Sequence, residues 1–118
     1  MYDIAVDGNN LGLSIIKAGI PASEVCRTVD DLFSSKGMAP YNRCKGWMGR
    51  GVGLDVHEAP TLSMDYDIIL KPGMAMTLQP EFFGPEIGVF GIEQNFVVTE
   101  TGCELLTPAP QEPLRLPM

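Results

Sequence analysis

Histidine is the side chain best suited to moving protons near neutral pH, and this chain has one, His57. His57-Glu58 opens an H-E-x-x-H pattern, but position 61 is Thr61, so the zinc-binding helix of that motif is absent. A single histidine also excludes a histidine-rich metal centre. A nucleophile built from Cys44 and His57 has no supporting motif around either residue. Gly49, Gly51 and Gly53 miss the dinucleotide spacing G-x-G-x-x-G, because the third glycine comes one residue early, and no G-K-[ST] triplet offers a phosphate loop. Cys26, Cys44 and Cys103 are an odd set without C-x-x-C spacing, as expected of reduced thiols in a cytoplasmic protein.

The background to these residues is acidic. Eight Lys and Arg stand against 15 Asp and Glu in 118 residues, a net charge of −7. The imbalance lies in the second half: residues 1–60 carry 6 basic and 7 acidic groups, residues 61–118 carry 2 and 8. That distribution argues against a nucleic-acid partner and against an anionic membrane surface. Length points to one domain, and 45% hydrophobic with 19% charged residues points to a globular one. No apolar run approaches the roughly 20 residues of a membrane span, and no basic-then-apolar leader opens the chain.

The elements that must position any site change character along the chain. Ile4, Leu11, Ile15 and Ala18 recur on one face and predict a helix over 3–18, weakened by Gly8, Asn9 and Asn10 and stopped by Gly19 and Pro21. Val25, Val29, Leu32 and Phe33 predict a second helix over 22–36, with Gly37 as its C-terminal glycine. Residues 43–53 are too rich in glycine for a helix and suit backbone packed closely against a neighbour, with Trp47 and Met48 packing there. Pro72-Gly73 predicts a turn into a strand over 74–79; further strands are expected over 87–92, 95–99 and 103–106. Four prolines after residue 107 predict a frayed tail, and helices followed by punctuated strands predict an α+β fold.

Four segments in register then carry a resemblance: Gly51-Val52-Gly53-Leu54-Asp55-Val56-His57-Glu58-Ala59-Pro60, Leu70-Lys71-Pro72-Gly73-Met74-Ala75-Met76-Thr77-Leu78-Gln79-Pro80, Gly91-Ile92-Glu93, and Val97-Val98-Thr99-Glu100-Thr101-Gly102-Cys103-Glu104-Leu105-Leu106-Thr107. In that order and at those gaps the chain closely resembles the C-terminal catalytic half of the Xaa-Pro aminopeptidase, prolidase and creatinase family. The resemblance implies an α+β pita-bread half-domain over 1–107, two helices on a curved and mostly antiparallel sheet, with the N-terminal half absent and a Pro-rich tail over 108–118.

Family peptidases are dinuclear hydrolases of N-terminal X-Pro bonds that use Mn, Co or Zn. The resemblance places their ligand histidine at Arg50, their first ligand glutamate at Gln79 and their last at Glu93, with two aspartates upstream of this chain. Only Glu93 matches as a metal ligand; Gly91 stands for the family arginine beside it. Arginine has no lone pair to donate and an amide oxygen is a weak substitute, so no cofactor is expected for this chain. His57 matches a family histidine that contacts substrate. The implied catalytic residues are His57 and Glu93, and the implied substrate-binding residues are Arg50, His57 and Gln79. Glu81, two residues beyond Gln79 across Pro80, is a candidate to replace the lost carboxylate.

Two readings stay open. One is part of a larger hydrolase, acting on a small peptide or, like creatinase, on a small C–N substrate without metal, the isolated chain being inactive. The other is a non-catalytic pita-bread module that binds a peptide or protein partner, with Arg50 merely pairing with Glu93. A lone half leaves a sheet edge uncovered, so the missing N-terminal half or a homodimer is expected as a partner.

Overall fold

The structure is a computed structural model that describes residues 1–43 and 45–117. Cys44, the thiol considered as a partner of His57, lies outside the described residues. Two helices, α1 (Tyr2–Ile15) and α2 (Ala22–Ser35), are followed by a 3-10 turn at Ala39–Tyr41 and seven strands. These are β1 (Trp47–Gly51), β2 (Glu58–Ser63), β3 (Ala75–Leu78), β4 (Glu81–Gly84), β5 (Gly88–Gly91), β6 (Gln94–Val98) and β7 (Cys103–Leu105). Five form an antiparallel sheet in the order β2-β1-β3-β6-β7, and β4 with β5 forms a separate hairpin. The helices pack on each other, α1 against β3 and β5 and α2 against β2.

The second helix follows its apolar spacing. Val25, Val29 and Phe33 are fully buried, Leu32 is at the margin, and Gly37 takes the left-handed φ of 72° that a side chain resists. The first helix departs from expectation in both length and face. It ends at Ile15, and its buried face is Ala5, Gly8, Asn9 and Gly12, with Ile4, Leu11 and Ile15 only partly covered. The reason is close approach: a Cβ on Gly8 would stand 2.3 Å from the Phe33 ring, and one on Gly12 would stand 2.6 Å from Leu78. Residues that weaken an isolated helix therefore seat this one against α2 and the sheet. Beneath it the Phe33 and Phe82 rings meet edge to face with centroids 4.7 Å apart.

The glycine-rich stretch is a central strand rather than a loop. β1 lies between β2 and β3, and a Cβ on Gly49 would come within 1.9 Å of the Thr77 carbonyl oxygen. The backbone packing expected there is thus present, although the strand itself, like β2 and β4, was not anticipated. The Gln79 N–H donates to the Met48 carbonyl at 2.7 Å and the Val52 N–H to that of Ala75 at 3.0 Å, which ties the two strands that carry the site. The proline-rich tail has no regular structure but is anchored at one point, Gln111, whose amide is paired with that of Asn10.

Candidate functional site

Two of the candidate residues, Gln79 and Glu93, converge on the guanidinium of a third, Arg50. Arg50 leaves β1 toward β3, and its Nη1 donates to Gln79 Oε1 at 2.8 Å, to Thr77 Oγ1 at 3.2 Å and pairs with Glu93 Oε1 at 3.1 Å. Its Nε–H donates to the Val56 carbonyl, which turns the loop after β1 back over the side chain. None of these contacts is made by Nη2. The Arg50 side chain is 17% exposed and that of Glu93 is 38% exposed, and both line a shallow recess of about 180 Å³.

Thr77 was missed in the sequence. The signal was there in its spacing: Thr77 lies two residues before Gln79, and alternate residues of a strand share a face. Its hydroxyl also accepts from the Arg50 backbone N–H at 3.3 Å, which fixes β1 and β3 in the register that brings Arg50 to Gln79.

His57 is not in this contact set. It lies exposed in the loop before β2, its ring 6.0 Å from that of Trp47 in an edge-on arrangement. With Arg43, Trp47, Gln79 and Glu81 it lines a recess of about 330 Å³, so Gln79 is the wall that recess shares with the Arg50 cluster. Trp47 is therefore half-buried against the recess, while Met48 alone packs fully into the core. Glu81 turns away from Arg50 and pairs with Arg43 at 2.9 Å, where the side chains are 23% and 59% exposed. An ion pair so accessible to water contributes about 0–1 kcal/mol. Arg43→Ala is accordingly expected to lower the unfolding free energy, measured by urea denaturation, by no more than that, with the difference vanishing at high salt.

The donor set around Arg50 does not fit a divalent ion. A fixed cation stands at its centre, Gln79 offers an amide, and among the described residues no cluster of three His, Cys, Asp or Glu is placed to hold a metal. Neither described thiol belongs to the site. Cys26 is buried in α2, and Cys103 donates its S–H to the Leu13 carbonyl at 3.4 Å. Burial pushes the Cys103 thiol above its ordinary pKa, which lowers its thiolate fraction at any given pH. Cys103 should therefore react with iodoacetamide at pH 8 more slowly than a free cysteine, as peptide mapping of timed samples would show.

Comparison with known proteins agrees with this architecture. The peptidase YqhT of Bacillus subtilis is 36% identical over 112 residues, which cover 95% of this chain and 31% of that one. The Xaa-Pro dipeptidase of Pyrococcus furiosus is 30% identical over 112 residues, again 95% of this chain and 32% of the relative. In structure, an Xaa-Pro dipeptidase from Bacillus anthracis superposes with a TM-score of 0.87 at 37% identity, covering 94% of this chain and 31% of that one. The chain thus spans about a third of the length of the relatives it matches, and its two helices on an antiparallel sheet match part of their pita-bread fold. With the profile "Metallopeptidase family M24" matching residues 1–100, the chain belongs to that peptidase family.

Proposed function

We propose that this chain is the site-bearing part of a hydrolase of the peptidase M24 fold that works on a small peptide, or a related small C–N substrate, without a metal pair. One observation supports it above the others: the Arg50 guanidinium lies within hydrogen-bond reach of both Gln79 and Glu93, so a fixed positive charge stands among the side chains aligned with metal ligands. In the reaction, water adds to the carbon of a C–N bond, that bond breaks, and the water's proton passes to the departing nitrogen. His57, at the rim of the recess, takes and returns that proton. The Nη2 edge of Arg50 stabilises negative charge developing on the substrate oxygen or holds a substrate carboxylate. Glu93 and Gln79 hold the guanidinium in place.

The test is turnover by the complete protein that contains this chain, on Xaa-Pro dipeptides and small C–N substrates, before and after exhaustive chelation. Activity that survives chelation and is lost in Arg50→Ala is expected; activity abolished by chelator and restored by Mn or Co would overturn the proposal. A second reading, a peptide-binding module, is favoured by the shielding of Arg50, whose Nε and Nη1 are both engaged internally. Peptide binding without turnover would select it.

We place the protein in a reducing compartment, the cytoplasm, consistent with an odd set of three cysteines without C-x-x-C spacing and with the free thiol at Cys103. The described helices include none long and apolar enough to cross a membrane. Val52, Leu54 and Val56 are 42%, 103% and 76% exposed at the rim of the site, an apolar ridge suited to the rest of the catalytic fold or to a second copy. Sedimentation of the 118-residue chain is expected to show a dimer or larger species.

A further inference from the structure

Glu93 belongs to no strand, yet its carboxylate must meet Arg50 at 3.1 Å. What holds it lies just beyond, at the start of β6, where the chain leaving β7 crosses back over residues 94 and 95. The Asn95 N–H donates to Thr107 Oγ1 at 2.9 Å, and the Leu106 N–H donates to the Asn95 carbonyl at 2.8 Å. Gln111 completes the crossing: its Nε2 donates to Gln94 Oε1 at 3.2 Å and to Asn10 Oδ1 at 2.9 Å, while Asn10 Nδ2 donates back to Gln111 Oε1 at 3.0 Å. Gln94 is only 4% exposed.

The same helix grips the other arm of the site. Asn9, fully buried, donates from Nδ2 to the Leu78 carbonyl at 3.0 Å, and Leu78 is the register partner of Gln94 across β3 and β6. Gln79 and Glu93, two of the residues that contact the Arg50 guanidinium, each adjoin one of these anchored partners.

From this arrangement we infer that residues 106–111 are a strap that positions Glu93 against Arg50, with Gln111 as its positioning residue. Gln111 suits that role because one neutral amide uses both donor and acceptor to join α1 to β6 without adding charge near the ion pair. A carboxylate there keeps the size but loses both donated bonds and turns its oxygens on Gln94 and Asn10. The strap therefore sets how rigidly the carboxylate and guanidinium face each other, and anything that lifts the tail loosens the site. The inference rests on the reading of Arg50, Gln79 and Glu93 as the working cluster.

The experiment is an NMR measurement of the Arg50 guanidinium in the 118-residue chain, assigned by its loss in Arg50→Lys. A guanidinium locked by Glu93 and Gln79 rotates slowly about its terminal C–N bonds and gives separate Nη hydrogen signals at low temperature. Glu93→Gln should abolish that separation. Gln111→Ala, Gln111→Glu and, from the opposite side, Asn10→Ala should do the same. Backbone amide signals away from the strap should stay in place, and Leu114→Ala, at an 87% exposed tail position, should change nothing. If the wild-type guanidinium is not locked, or Glu93→Gln leaves it locked, the reading of the cluster fails and the strap with it. If Glu93→Gln releases the guanidinium while the Gln111 and Asn10 variants keep it locked, the strap alone is overturned.

Discussion

Gly49→Ala should destabilise the chain by about 3 kcal/mol or more, at the top of the range for overpacked interiors. The Cβ it adds would lie 1.9 Å from the Thr77 carbonyl oxygen and 3.0 Å from a Leu62 methyl. The first of these neighbours is backbone in the adjacent central strand, so no side-chain rotation relieves the clash and β1 must part from β3. With a urea dependence of about 1–3 kcal/mol per molar for a small domain, the midpoint should fall by at least about 1 M. Gly102→Ala is the matched control. Nothing lies within 4 Å of its added Cβ, so its stability should stay within about 0.5 kcal/mol of the parent. The consequence for the site is direct, because Arg50 is the next residue. Parting the strands withdraws the Arg50 backbone from Thr77 Oγ1, now at 3.3 Å, and its guanidinium from Gln79, now at 2.8 Å. An equal midpoint for the two glycine variants would show that β1 does not pack against β3 at this distance.

That close approach also marks where sequence reading succeeds and stops. The glycines of residues 43–53 announce tight backbone packing, but not which strand they pack against, since Gly49 meets Thr77, 28 positions further along the chain. α2 was legible because its core contacts repeat within a few residues, at Val25, Val29 and Phe33. α1 was misjudged on its face, because Gly8 and Gly12 are buried by what sits opposite, Phe33 and Leu78, and no local periodicity records a partner. β4 is a four-residue strand beginning directly after Pro80, too short to alternate visibly. The cluster at positions 50, 79 and 93 has no local spacing either; resemblance alone singled it out, and the fold then brought it within 3.1 Å. Gln111 and Asn10, 101 residues apart, left no trace in the pattern.

Arg50→His combined with Gln79→Glu should turn this cluster into a divalent-ion site. Nη1 of Arg50 now stands 2.8 Å from the Gln79 oxygen and 3.1 Å from that of Glu93, so a positive charge already occupies the point where their oxygens converge. A second cation brought within about 4 Å of it in a partly screened site meets a repulsion of about 4 kcal/mol per unit charge, roughly a thousandfold in affinity. Arg50→His removes that repulsion and supplies a lone pair; Gln79→Glu adds a formal negative charge. The resulting His and two carboxylates form a three-ligand set of the kind that holds zinc with one open position. In calorimetric titration with Zn, Mn or Co, the parent chain is expected to show no saturable uptake. Gln79→Glu alone should show none either, since the new carboxylate turns to Arg50. Arg50→His should bind weakly and the double variant at least a thousandfold more tightly than the parent. Equal binding by parent and double variant would mean that Arg50 is not what keeps the ion out, and the metal-free reading of the cleft would fall with it.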